Sequence, residues 1–170
     1  HIRVEKRLPA QAGMGGGSSD AASTLLALNR LWKLKLSLAQ LSTIGLALGA
    51  DVPFFLQGHN SWVEVIGAKI TPLTLPPQSF AVVKPAAAIA TADIFASLDL
   101  VRDTEPVILT GSFASAGFGD GFGHNDLQPV AEAHCPEVRT VADWLQSSFG
   151  NSRMTGSGSA VFARVDTEDQ

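Results

Sequence analysis

The chain is poor in sulfur and in positive charge: 170 residues hold one cysteine, Cys135, two methionines, and 12 Lys and Arg against 16 Asp and Glu. A lone cysteine excludes a disulfide within the chain and fits a reducing cytoplasm. The net charge of −4 and a pI near 5.5 exclude a general electrostatic grip on nucleic acid or on an anionic membrane surface. Any anion bound here has to be held by local donors. No apolar run reaches the roughly 18 residues of a membrane span, so no membrane partner is expected. His59, His124 and His134 lack metal-ligand spacing, which argues against zinc. A starting methionine is also missing, and no signal-peptide pattern precedes His1. Ile2 and Val4 alternate with Arg3 and Glu5 like a strand already under way, so the chain is expected to begin mid-domain.

What is present is glycine, concentrated in the run Gly13-Met14-Gly15-Gly16-Gly17-Ser18-Ser19 and followed at once by an Ala- and Leu-rich segment. Glycine accepts positive φ and lets a ligand approach the main chain. The first N–H groups of a following helix have no intrahelical partner, and the helix dipole adds about half a positive charge there. Strand, glycine loop and helix start in that order build a place for phosphate. Ser18 and Ser19 bring hydroxyls to it, one of which suits a phosphate-bound metal ion. A P-loop is excluded because no lysine follows Gly16-Gly17. The dinucleotide fingerprint fails too: counting from Gly13, its third glycine position is Ser18. The competing reading is a tight turn between strand and helix.

Leu25, Leu28 and Trp32 give a helix ending near Lys33 to Lys35. Ser37 and Gln40 have capping-box spacing ahead of a second helix, with Leu38, Leu41, Ile44 and Leu48 as its apolar stripe and Gly49 as its stop. Asp51 then sits in a turn, with Val52 pushed toward extended geometry by Pro53. Asn60 to Leu75 is strand-like and interrupted at Gly67, and Pro76-Pro77 marks a boundary. A second unit begins with a strand at Phe80 to Pro85 and a helix at Thr91 to Leu98, in which Phe95 by itself reads as a core residue. Gly111 to Gly123 is a flexible glycine-rich loop. Helices follow over Asn125 to Ala133, with Asp126 as a cap, and over Glu137 to Phe149, with Val138, Val141, Leu145 and Phe149 facing the core. Cys135 between them reads as a small buried residue. Thr155 to Ser159 reads as a glycine turn into a strand at Ala160 to Val165.

Three segments, Pro9 to Ala22, Leu48 to Phe55, and Met154 to Gly158, resemble in order and spacing the motifs of the GHMP kinases, the small-molecule kinase family named for galactokinase, homoserine kinase, mevalonate kinase and phosphomevalonate kinase. The triple glycine with Ser18-Ser19-Asp20-Ala21-Ala22 is narrower and is similar to the branch that acts on cytidyl diphosphate-linked methylerythritol, with support from Val83-Lys84-Pro85 and Asn125-Asp126-Leu127-Gln128-Pro129. The resemblance implies an α+β fold of two domains: residues 1–76 from the N-terminal, ATP-binding domain and 77–170 as a C-terminal domain of ferredoxin-like helices on an antiparallel sheet. It implies transfer of the γ-phosphate of ATP, with Mg²⁺, to a hydroxyl of a small molecule, by a monomer or weak homodimer. Pro9, Ala10, Gln11, Ala12, Gly13, Met14, Gly15, Gly16, Gly17, Ser18 and Ser19 would form the ATP loop, and Asp51 would be the catalytic aspartate. Thr91, Phe95, Thr155, Gly156, Ser157 and Gly158 would lie on the substrate side, Phe95 stacking on cytosine. The family's lysine near an asparagine, its tyrosine–histidine pair and its C-terminal segment have no counterpart here; the chain contains no tyrosine. A different sugar-alcohol or homoserine-like acceptor, or a fragment that holds nucleotide without turning it over, stays open at this point.

Overall fold

The computed structural model describes residues 1–105 and 123–165. Packing divides the chain into two compact units, one of His1–Arg7 with Gly15–Leu75 and one of Leu8–Met14 with Pro76–Gln170.

In the first unit, helix α1 (Gly16–Leu31) starts from Gly15 in the left-handed conformation and ends at Trp32. The lysines beyond it, Lys33 and Lys35, hold positive φ of 53° and 56°. Asn29 secures this exit by donating to and accepting from the backbone of Leu36 at 3.0 Å each. Helix α2 (Leu38–Leu48) carries the expected capping box, Ser37 Oγ accepting from Gln40 N and Gln40 Oε1 from Ser37 N, with Gly49 at its C-cap. Its buried stripe differs from expectation. Leu41 and Gly45 face inward, while Leu38, Ile44 and Leu48 are exposed. The reason is helix α3 (Val52–Gln57), which presses on Gly45 so closely that a Cβ there would lie 2.9 Å from Val52 Cγ1. Val52 is therefore helical and buried, not extended, because Pro53 falls in the first turn, where its missing N–H costs no hydrogen bond. Ala22, Leu41, Val52 and Leu56 form the core of this unit.

The strand-like stretch is a hairpin, β1 (Ser61–Glu64) antiparallel to β2 (Lys69–Pro72). Its turn puts Val65, Ile66 and Gly67 all at positive φ and is closed by Ala68 N donating to Val65 O at 3.0 Å. His1 to Glu5, expected as a strand, pairs with no described strand, and Ile2 and Val4 are exposed; without a ladder partner, alternation alone does not hold a segment in a sheet.

The second unit is α+β. Strands β3 (Ser79–Val83), β5 (Val161–Val165) and β4 (Ser152–Met154) form an antiparallel sheet in the order β3-β5-β4, with Ala81 opposite Ala163 and Met154 opposite Val161. Helix α4 (Thr91–Ala96) is shorter than its expected span. Helix α5 (Gln128–His134) leads into α6 (Pro136–Phe149), which packs on β4 and β5. Val138, Ala142 and Leu145 of α6 join Ile94, Val130, Met154 and Val161 in the core, whereas Phe149 stays exposed. Asp126 does not cap α5. It pairs with His124 at 2.9 Å, and Asn125 Oδ1 takes the N–H of Leu127 instead. The glycine-rich loop lies outside the described residues apart from Gly123.

Cys135 is buried, and burial raises its thiol above the ordinary range, helped by its hydrogen bond to Glu137 Oε2 at 3.3 Å. Glu137 moves the other way, lowered by its own backbone N–H and by that thiol. A thiol with its pKa raised is mostly protonated at pH 8, so a thiol-reactive disulfide reagent should label native Cys135 slowly and unfolded protein fast; equal rates would contradict the burial. Ser37→Ala removes half of the capping box and should lower stability by about 1 kcal/mol in urea denaturation.

Candidate functional site

The start of α1 gives the first half of the site. Its first intrahelical bond runs from Ser19 N to Gly15 O at 2.9 Å, so the N–H groups of Gly16, Gly17 and Ser18 have no partner within the helix. Gly15 caps without a side chain, and neither serine hydroxyl is committed to a hydrogen bond among the described residues. The glycines differ in what demands them. Gly13 (φ 68°) lies against the Thr155 carbonyl, and Gly15 (φ 66°) lies under the Phe55 ring, where a Cβ would be 2.6 Å from Cζ. Gly17 is exposed and has ordinary helical geometry, and a Cβ there would meet nothing within 4 Å. A helical glycine that neither φ nor packing requires leaves the space beside the helix start open.

Asp51 belongs to the same unit. It stands between the C-cap of α2 and the first residue of α3, exposed, with φ −86°. It sits in a turn as expected, and its carboxylate makes no side-chain cap bond and has no hydrogen-bond or ion-pair partner among the described residues. Two contacts place its backbone. A Cβ at Gly49 would lie 3.9 Å from Ser18 Oγ, and one at Gly67 would lie 2.0 Å from Ala50 O. The α1 start and the hairpin turn thus flank the peptide that leads into Asp51.

In the second unit the Leu8–Met14 segment joins the turn after β4. Ser159 N donates to Gln11 O and Ala160 N to Ala12 O, each at 3.2 Å, and Thr155 Oγ1 donates to Gly13 O at 2.9 Å. Gly13 and Gly156 face each other backbone to backbone. Ser157 Oγ lies 2.8 Å from Thr91 Oγ1, tying the turn to α4. Phe95, one helical turn beyond Thr91 and so on the same face, is 55% exposed. It is not a core residue; the adjacent Ile94 takes that place at 0% exposure. Of the expected site residues, Gln11 to Gly13, Thr155 to Ser157 and Thr91 meet here, while Gly15 to Ser19 gather with Asp51 in the first unit. Met14–Gly15 is the peptide that links the two sets.

Sequence reasoning missed Asn125 and Arg102 as site supports. Asn125 Nδ2 donates to both Met154 O and Gly156 O at 2.8 Å, clamping the turn that meets Gly13. Its signal was the run Asn125-Asp126-Leu127-Gln128-Pro129. Arg102, at the exit of α4, has no motif around it.

The profile described as GHMP kinases N terminal domain matches residues 1–59, and that described as GHMP kinases C terminal matches residues 108–170. The chain is 58% identical over 167 residues to the 4-diphosphocytidyl-2-C-methyl-D-erythritol kinase of Polaromonas naphthalenivorans, covering 97% of this chain and 56% of that protein. It is 60% identical over 167 residues to the enzyme of the same name from Delftia acidovorans, covering 96% of this chain and 57% of that protein. A crystal structure of 4-(cytidine 5'-diphospho)-2C-methyl-D-erythritol kinase matches with a TM-score of 0.75 at 34% identity, covering 93% of this chain and 59% of that one. The chain thus spans a little over half the length of the curated relatives it matches. With two profiles of one family in order along the sequence, and with fold and relatives in agreement, the chain belongs to the GHMP kinase family.

Proposed function

We propose that the protein is an ATP-dependent kinase that phosphorylates the 2-hydroxyl of 4-diphosphocytidyl-2-C-methyl-D-erythritol, in the cytoplasm, as a step of non-mevalonate isoprenoid synthesis. What carries this reading is the identity of close to 60% with enzymes of that name over nearly the whole chain. The open start of α1 supports it: unpaired N–H groups, an unencumbered Gly17 and two uncommitted hydroxyls suit a polyphosphate. In this reading residues 1–76 belong to the ATP-binding domain and 77–170 to the C-terminal domain.

Phosphoryl transfer passes through a loose transition state, so the protein's task is to position reactants and offset spreading negative charge. Gly15 to Ser19 would hold the phosphates by main-chain N–H groups and the dipole of α1. Mg²⁺ would neutralise charge on the phosphate oxygens, with the Ser18 or Ser19 hydroxyl as a hard oxygen donor fitting that ion. Asp51, whose carboxylate is uncommitted, would accept the proton of the attacking hydroxyl or orient it. Pro9 to Met14 would complete the nucleotide loop. Thr91, Phe95 and Thr155 to Gly158 would form the substrate wall, the Phe95 ring offering its face to cytosine.

Asp51→Asn keeps the size of the side chain and removes the base; turnover should fall about 10²-fold or more with ATP affinity little changed, and an unchanged kcat would refute the role. Gly17→Ala separates fold from function. Helix stability should rise by about 0.5–1 kcal/mol, because no packing opposes the methyl. The KM for ATP should rise about 10-fold or more if phosphate occupies the space beside the helix start, and an unchanged KM would reduce the loop to a turn.

A further inference from the structure

Helix α4 presents Phe95 yet has little of its own to keep its shape. It is six residues long, and Ala90 at its N-cap makes no side-chain cap bond. Helices this short are not stable by propensity, and their last carbonyls have no partner in the helix. Three contacts outside it compensate. Ile94 is fully buried in the core, Thr91 Oγ1 meets Ser157 Oγ, and the third comes from Arg102. Arg102 Nη2 donates to Phe95 O at 2.7 Å and Ser97 O at 3.1 Å, and its Nη1 donates to Leu100 O at 3.0 Å. One guanidinium thus collects three carbonyls where α4 ends, and the shortest bond falls on the residue whose ring is exposed. A cation at a helix C-terminus also meets the negative end of the dipole. A lysine ammonium lacks the planar fork that reaches all three.

We infer that Arg102 is a positioning residue for substrate specificity: by gripping the Phe95 carbonyl it sets the angle at which that ring meets the nucleobase. This rests on the proposed stacking of Phe95 on cytosine. Loss of the grip leaves Ile94 in the core and Thr91 on Ser157, so the fold stays intact while the ring loses its fixed direction.

The test is a double-mutant cycle on the full-length protein, titrated with cytidine 5'-diphosphate by calorimetry, with ATP affinity and melting temperature recorded for each variant. Phe95→Ala should weaken cytidine diphosphate binding about 10-fold or more. Arg102→Ala should weaken it about 3- to 10-fold with Phe95 present and not further in the Phe95→Ala background, with Arg102→Lys recovering only part. ATP affinity should hold in all variants. The inference is overturned if Arg102→Ala leaves cytidine diphosphate binding unchanged, lowers it equally in both backgrounds, or lowers ATP affinity in step. If Phe95→Ala itself has no effect, the stacking reading falls and this inference with it. If Phe95→Ala weakens binding and Arg102→Ala does not, only the role of Arg102 falls.

Discussion

Main chain packed directly on main chain or on a ring, with no side chain between, sets the geometry of both units. In the second unit Gly13 and Gly156 approach so closely that a Cβ on Gly13 would lie 2.0 Å from Thr155 O and one on Gly156 would lie 2.8 Å from Gly13 O. In the first, Gly67 meets the Ala50 carbonyl and Gly15 meets Phe55. Each contact joins segments distant in sequence, and each is possible only because one partner lacks a side chain. The peptides thus held are those next to the candidate functional groups: the Pro9 to Met14 run, the turn at Thr155, and the step into Asp51.

Around these contacts, side-chain amides and one guanidinium do what regular secondary structure cannot. Asn29 closes the loop after α1, Asn125 holds the turn after β4, and Arg102 gathers the end of α4. All three bind backbone groups that would otherwise need solvent or a partner strand. The candidate chemical groups differ in kind. Ser18, Ser19 and Asp51 carry no such bonds among the described residues, which leaves their polar atoms available to a ligand. In the kinase reading proposed above, supports spent on backbone and reactive groups left uncommitted suit phosphoryl transfer, whose work is placement more than covalent chemistry.

Much of this was legible in the residues. The capping box at Ser37, the helix after the glycine run, the strand at Phe80 and the strand after the Thr155 turn all follow from local spacing, and all are present. Errors came where tertiary contact overrode local preference. Val52 is helical despite preceding proline because α3 needs it against Gly45. Leu38, Ile44 and Leu48 share a stripe with Leu41, but only the part of that helix facing α3 is covered. Phe95 looked like core by composition, and the neighbouring Ile94 occupies the core instead; one residue along a helix is a rotation of about 100°, which spacing over six residues cannot settle.

By itself the sequence determined the family, because glycine spacing, a helix start and the Gly-Ala-Asp-Val-Pro run are local facts that survive without any contact map. Tertiary structure alone decided which glycine serves which purpose. Gly13 and Gly15 answer to packing and positive φ, while Gly17 answers to neither, and nothing in a run of identical residues distinguishes them. It also decided the part played by Asn125, since the carbonyls it holds are brought to it by the fold: Asn125 lies 29 and 31 positions from its two acceptors. Hydrogen bonds at that separation are set by where the chain returns, which no local pattern encodes.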